Sequence, residues 1–135
     1  MIDKQLISGI RQALSKDSRI KLAYVLGSVV SGRARVGSDF DLAVVVDDTT
    51  KISYDQIYQL ISNLNFPKDL DLSVVDNESS PLFLFQIIST GNCVYQRSEE
   101  DKVSFEAYVL KNYYDNAHLR KIYRSYLKDK FPYVS

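Results

Sequence analysis

The sequence predicts an α/β (α+β) fold, a small mixed sheet flanked by helices and followed by a long C-terminal helix. Three observations carry this. Residues 20–26 (IKLAYVL) and 40–46 (FDLAVVV) are short, β-rich and mostly apolar, as buried strands are, and 70–75 (LDLSVV) alternates apolar and polar residues. Helical spacing or helix-start signals separate them. From about residue 99 to 130 no proline or glycine interrupts the chain. A chain of 135 residues is one domain's worth and can bury a core without disulfides. Residues 1–135 are expected to form a single domain, with a core over about 1–97 and a C-terminal helical segment over about 99–130.

The elements follow in order. Ile2, Leu6, Ile10, Ala13 and Leu14 mark one face of a first helix. The strand at 20–26 runs into Gly27-Ser28. Residues 28–38 (SVVSGRARVGS) read as a short helix or turn and then a loop. The second strand, 40–46, closes at Asp47-Asp48-Thr49-Thr50. Ser53 and Gln56 form an S-x-x-Q capping box, which starts a helix with Ile57, Leu60, Ile61 and Leu64 inward. In the third strand Leu70, Leu72 and Val74 share one face, and Asp71 and Ser73 the other. Ser80-Pro81 is an N-cap followed by proline at the first helical position. That helix ends near Thr90, with Gly91 expected as a C′ glycine. Residues 92–96 (NCVYQ) add a short strand. In the last helix Val103, Ala107, Leu110, Tyr114 and Ala117 are expected to form the buried stripe, and Phe131-Pro132 to end it.

Composition narrows the function classes. Lys+Arg and Asp+Glu are 17 each, so the net charge is zero, and a broad positive field for coating nucleic acid is absent. One cysteine, Cys93, and one histidine, His118, exclude an internal disulfide and Cys- or His-cluster metal chemistry. The N-terminus, MIDKQLISGIRQAL, has no continuous apolar run of the signal-peptide kind. A cytoplasmic protein with no membrane association is expected.

The chemistry concentrates in Gly27-Ser28, ten intervening residues, and Asp39-Phe40-Asp41. Carboxylates spaced i, i+2 on a strand share a face, where they repel unless a cation sits between them. A hard divalent cation with oxygen ligands meets that need. If the strands at 40–46 and 70–75 are neighbours, Asp71 projects beside Asp39 and Asp41. Three carboxylates can then hold two metal ions about 3.5–4 Å apart, the arrangement that serves in-line phosphoryl or nucleotidyl transfer. Glycine at 27 permits close approach of backbone to a phosphate, and Ser28 can cap the following turn. No Walker sequence is present.

These residues resemble the GS-x10-D-x-D signature of the polymerase-β-type nucleotidyltransferases. The size resembles the minimal nucleotidyltransferases (MNT), antitoxin partners of HEPN-domain ribonuclease toxins. Gly32, Ser38, Leu42, the LDLSVV strand, Pro81, Ile87, Gly91 and Tyr95 follow the same pattern. Phe105-Glu106 and Tyr114-Asp115 resemble the family's last helix. The likeness runs from about residue 20 to 125.

The resemblance implies a polymerase-β-like core and two Mg²⁺ ions. Asp39 and Asp41 would bind both ions. Asp71 would bind one and accept the proton of the attacking hydroxyl. Gly27 and Ser28, with Ser38, would hold the triphosphate of ATP. The family often has Ala-Arg before the second glycine where this chain has Val30-Ser31, so either Arg33 or Arg35 would supply the phosphate contact or the affinity would be weaker. The implied reaction is transfer of AMP from ATP to a tyrosine hydroxyl of a cognate HEPN toxin, with release of pyrophosphate. Two alternatives stand beside it: a small-molecule (aminoglycoside-like) nucleotidyltransferase, and a non-catalytic antitoxin that neutralises by binding. A polymerase or tRNA-extending role is disfavoured by neutral charge and size.

The remaining candidates have simpler readings. Cys93 reads as a small core residue. His118 reads as a surface or partner contact. Six of the ten tyrosines fall in the last 28 residues, among Arg120, Lys121, Arg124, Lys128 and Lys130. This stretch reads first as a partner surface, then as a solvated helix face, and last as an RNA contact.

Overall fold

The computed structural model describes residues 4–26, 40–67 and 69–130, except for the side chains of residues 118, 119, 122 and 130. Four helices and four strands lie among the described residues. They are α1 (Lys4–Leu14), β1 (Ile20–Val25), β2 (Phe40–Val46), α2 (Tyr54–Ile61), β3 (Leu70–Val75), α3 (Pro81–Thr90), β4 (Asn92–Gln96) and α4 (Glu99–Lys130). The strands form one sheet in the order β3-β2-β1-β4. β1 pairs antiparallel with β2 and β4, and β2 pairs parallel with β3, so the sheet is mixed.

The sheet is buried on both faces, which is why its central strands are almost wholly apolar. On one face α1 and α2 cover Val25, Phe40, Leu42, Val44, Val46 and Leu72, with Leu70 and Val74 partly buried beside them. Leu6, Ile10, Ala13 and Leu14 of α1 and Ile57 and Ile61 of α2 meet them there, as the helical spacing predicts. On the other face Leu22, Tyr24, Ala43, Val45 and Val75 pack against Leu84 and Ile87 of α3 and Phe105 and Val109 of α4. A register shift between Ile20 and Leu22 lets Ile20 and Ala23 share the first face, although they are an odd three positions apart. That irregularity has no signal in the sequence.

The caps are those the sequence announces. Ser53 accepts from the Gln56 N–H while the Gln56 side chain accepts from the Ser53 N–H. Ser80 caps α3, with Pro81 in its first turn.

Two expectations are corrected. The buried stripe of α4 is not Val103, Ala107, Leu110, Tyr114 and Ala117. Val103 is 61% exposed and Tyr114 63%, whereas Phe105 is 2% exposed. Two residues are roughly 200° round a helix, so Phe105 lies nearly opposite Val103. The larger aromatic side chain sits against β1, and the contact line runs through Phe105, Val109 and Tyr113, whose ring stacks on Phe85 of α3 at 3.9 Å. Gly91 is the C-cap of α3, but its backbone is extended (φ −87°), not left-handed. Glycine is needed there for space. A Cβ would meet the Ile87 carbonyl oxygen, Leu26 Cδ2 at 2.8 Å and Tyr24 Cβ at 3.2 Å.

Cys93 sits half-buried among the α3/α4-face residues, and burial pushes its thiol up from the usual value. It is packing, as expected. Ile2, the segment 27–39, Phe131, Pro132 and the side chain of His118 lie outside the described residues.

Candidate active site

The parallel pairing of β2 with β3 puts Asp41 directly opposite Asp71, between the pairs Phe40–Leu70 and Leu42–Leu72. Leu42 and Leu72 belong to the α1/α2 face. Strand alternation therefore turns both aspartates to the α3/α4 face, the side that carries Ala43, Val45 and Val75. Neighbouring strands are about 4.8 Å apart, so two carboxyl groups stand side by side at the start of two strands. Asp71 is exposed and Asp41 half-buried. This is the juxtaposition the sequence makes conditional on β2 and β3 being neighbours, and they are.

The backbone around the pair is pinned on both sides. The Leu26 N–H donates to the Asp41 carbonyl at 2.9 Å, and the Phe40 N–H donates to the Asp69 carbonyl at 2.7 Å. Leu26, the residue before Gly27-Ser28, is thus held level with Asp41. The β1–β2 connection, residues 27–39, lies outside the described residues. It contains Gly27, Ser28, Arg33, Arg35, Ser38 and Asp39. Of the predicted site residues, the structure thus places Asp41 and Asp71 and brings them together.

The donor chemistry of this pair fits a hard divalent cation. Carboxylate oxygens are its preferred ligands, and exposure at Asp71 leaves room for water to complete a coordination shell. Among the described residues no cluster of three or more Asp, Glu, His or Cys is gathered. Asp39 is the remaining carboxylate of the motif.

A second layer holds the sheet under the site. Tyr24 lies on the same face, opposite Ala43, and is 1% exposed. Its hydroxyl donates to Glu106 at 2.6 Å, and Glu106 pairs with Lys102 at 3.3 Å. Burial first, and the hydrogen bond to Glu106 second, push the phenol far above its usual value, so it stays a neutral donor. This link fastens α4 to β1 one residue before the strand ends. Sequence reading gives Tyr24 no role, because an apolar strand contains no sign that one of its rings has a polar partner eighty-two residues away. At the opposite end of the sheet Arg97 bridges Asp47 and Asp101, and its Nη1 also donates to the Ser18 carbonyl at 2.7 Å. Those charges are paired structure, remote in register from Asp41.

Comparison with known proteins agrees with this geometry. The family model described as "Polymerase beta, Nucleotidyltransferase" matches residues 8–100. No curated protein matches by sequence. Among solved structures, a toxin-antitoxin crystallised with AMP-PNP superposes with a TM-score of 0.64 at 22% identity, covering 90% of this chain and 98% of that one. A tri-AMPylated Shewanella oneidensis HEPN toxin in complex with MNT antitoxin gives a TM-score of 0.66 at 21% identity, covering 95% and 98%. An MntA-HepT toxin-antitoxin gives 0.60 at 19%, covering 93% and 99%. At these identities the likeness establishes a shared fold. The family match spans well over half the chain and takes in the strands that carry Asp41 and Asp71, and on that basis the chain belongs to the polymerase β nucleotidyltransferase family.

Proposed function

We propose that this chain is an antitoxin-type protein adenylyltransferase, which transfers AMP from ATP to a tyrosine hydroxyl of a cognate HEPN ribonuclease toxin. The observation that carries the reading is the side-by-side placement of Asp41 and Asp71 in a chain of this family. The acceptor class is supported by the neighbours, one holding AMP-PNP and another a tri-AMPylated HEPN toxin.

In this reading Asp39, Asp41 and Asp71 hold two Mg²⁺ ions, which when bound offset the charge of the triphosphate and of the leaving pyrophosphate. Gly27, Ser28 and Ser38 hold the triphosphate, with Arg33 and Arg35 as further phosphate contacts. Asp71, the more exposed of the placed pair, accepts the proton of the acceptor hydroxyl. The hydroxyl oxygen forms a bond to the α-phosphorus. The bond from that phosphorus to the bridging oxygen breaks, and its electron pair leaves with pyrophosphate. Positioning and charge neutralisation do most of the work in such transfers, so a shallow site on a rigid sheet suffices. Residues 1–135 act as one unit, with the core over about 1–97 and the helical segment over about 99–130. The setting is the cytoplasm, where ATP is supplied; no described helix is long and apolar enough to cross a membrane.

The test is the intact mass of a HEPN protein encoded beside this chain, co-expressed with the wild type or with Asp39→Ala/Asp41→Ala. Gain of AMP units that requires the aspartates supports the reading. An unmodified toxin that is still bound and silenced replaces it with neutralisation by binding. Neither binding nor modification redirects the search to small-molecule acceptors with labelled ATP.

A further inference from the structure

The distal half of α4 and the first turn of α3 enclose two adjoining hollows, of about 480 and about 530 Å³, that share Leu82, Arg120 and Arg124. Leu82 is 53% exposed and Tyr123 63%, so large apolar surface is left in water at the groove. Cations surround it. Residues 111–130 carry six Lys or Arg against two Asp in a chain whose net charge is zero. Among the described residues no carboxylate pairs with Arg120, Lys121, Arg124 or Lys128; the ion pairs fall at Arg19, Arg97 and Lys102 instead. Arg120 stacks over the Tyr113 ring at 4.6 Å, which holds its guanidinium at the groove without neutralising it.

We propose that this groove is the docking site for an acidic segment of the acceptor protein. The proposal rests on the adenylyltransferase reading for the word acceptor, and on the groove alone for its chemistry. Two features favour this occupant. The guanidinium groups of Arg120 and Arg124, which have no carboxylate partner among the described residues, fit carboxylates, with Leu82 and Tyr123 supplying apolar anchors of the kind that dominate protein interfaces. The groove is also built by α3 and α4, the two helices that cover the sheet face to which Asp41 and Asp71 point.

The test is fluorescence anisotropy of the full chain with a fluorescein-labelled glutamate–tyrosine copolymer, beside a glutamate-only polymer and a labelled oligouridylate. Variants are Arg120→Glu/Arg124→Glu, Arg124→Glu, Leu82→Ser and Lys51→Glu, an exposed charge reversal outside the groove, each checked by circular dichroism. The wild type is expected to bind the glutamate–tyrosine copolymer more tightly than the glutamate-only polymer, with affinity falling as salt rises. The double reversal should weaken it at least tenfold, Arg124→Glu and Leu82→Ser severalfold, and Lys51→Glu less than twofold. Equal binding by wild type and double reversal overturns the proposal. So does preference for oligouridylate, which assigns the groove to RNA. So does a dimer in sedimentation of the wild type that the double reversal abolishes, which assigns it to a second copy. None of these readouts requires AMP transfer, so copolymer binding without any adenylylated protein would sink the proposed function and leave the groove assignment standing.

Discussion

Replacing Asp71 by Asn should make the protein more stable and inactive. Asp71 faces Asp41 across a parallel strand pair, and like charges placed directly opposite destabilise a sheet. The strand spacing puts the two carboxylates about 5 Å apart. At that distance two unit charges repel by about 0.8 kcal/mol in the dielectric of water. Screening at 0.15 M salt removes about half, so Asp71→Asn gains about 0.4 kcal/mol there and about twice that at low ionic strength. For a chain of this size the gain is about 1–3 °C in Tm. Amide for carboxylate is nearly isosteric and the position is exposed, so packing adds little. The assay is thermal unfolding at low and at physiological salt, each with and without Mg²⁺. Mg²⁺ should raise the Tm of the wild type by mass action on the folded state and raise that of Asp71→Asn much less. A variant less stable than wild type, or equal stabilisation of both by Mg²⁺, would refute the reasoning.

Three further outcomes are expected. Phe105→Ala removes a ring packed 6.4 Å from that of Tyr24, and should cost about 3–5 kcal/mol and loosen α4, read by denaturant unfolding and by hydrogen exchange along that helix. Gly91→Ala drives a Cβ into the Ile87 carbonyl oxygen at the end of α3; it should cost about 1–3 kcal/mol, measured by denaturant unfolding. Acid should destabilise the fold. Burial raises the Asp76 carboxyl, but N–H donors from Thr49 and Glu78 outweigh it and leave it below its usual 3.8. Its contribution is full above that value and is lost as pH falls through the lower folded one, so Asp76→Asn should flatten the stability profile below about pH 4.

β1 and β2 were legible because they are buried on both faces, and β3 because its apolar and polar residues alternate: the segments 40–46 and 70–75 coincide with β2 and β3, and 20–26 with β1 to within a residue. Capping chemistry is equally local, and Ser53, Gln56, Ser80 and Pro81 act where their types imply. The pairing of Asp41 with Asp71 was legible only as a condition, because strand order is set by packing across the whole sheet. The face of α4 was not legible. Its contact line passes from Phe105 and Val109 to Tyr113, Asn116 and Arg120, mixing apolar with polar groups, while Val103 and Leu110 sit in solvent. A rule that seeks an apolar stripe picks the wrong side of such a helix. The Tyr24–Glu106 bond and the spacing role of Gly91 depend on elements brought together by the fold, and no local pattern encodes them.

The most direct test of the central claim uses ATP labelled at the α- or the γ-phosphorus, the HEPN protein encoded beside this chain, and wild type, Asp41→Asn or Asp71→Asn. The account predicts that the α label enters the HEPN protein, the γ label leaves as pyrophosphate, and both variants transfer nothing while remaining folded. Transfer of the γ label, or full α-label transfer by either variant, would contradict it.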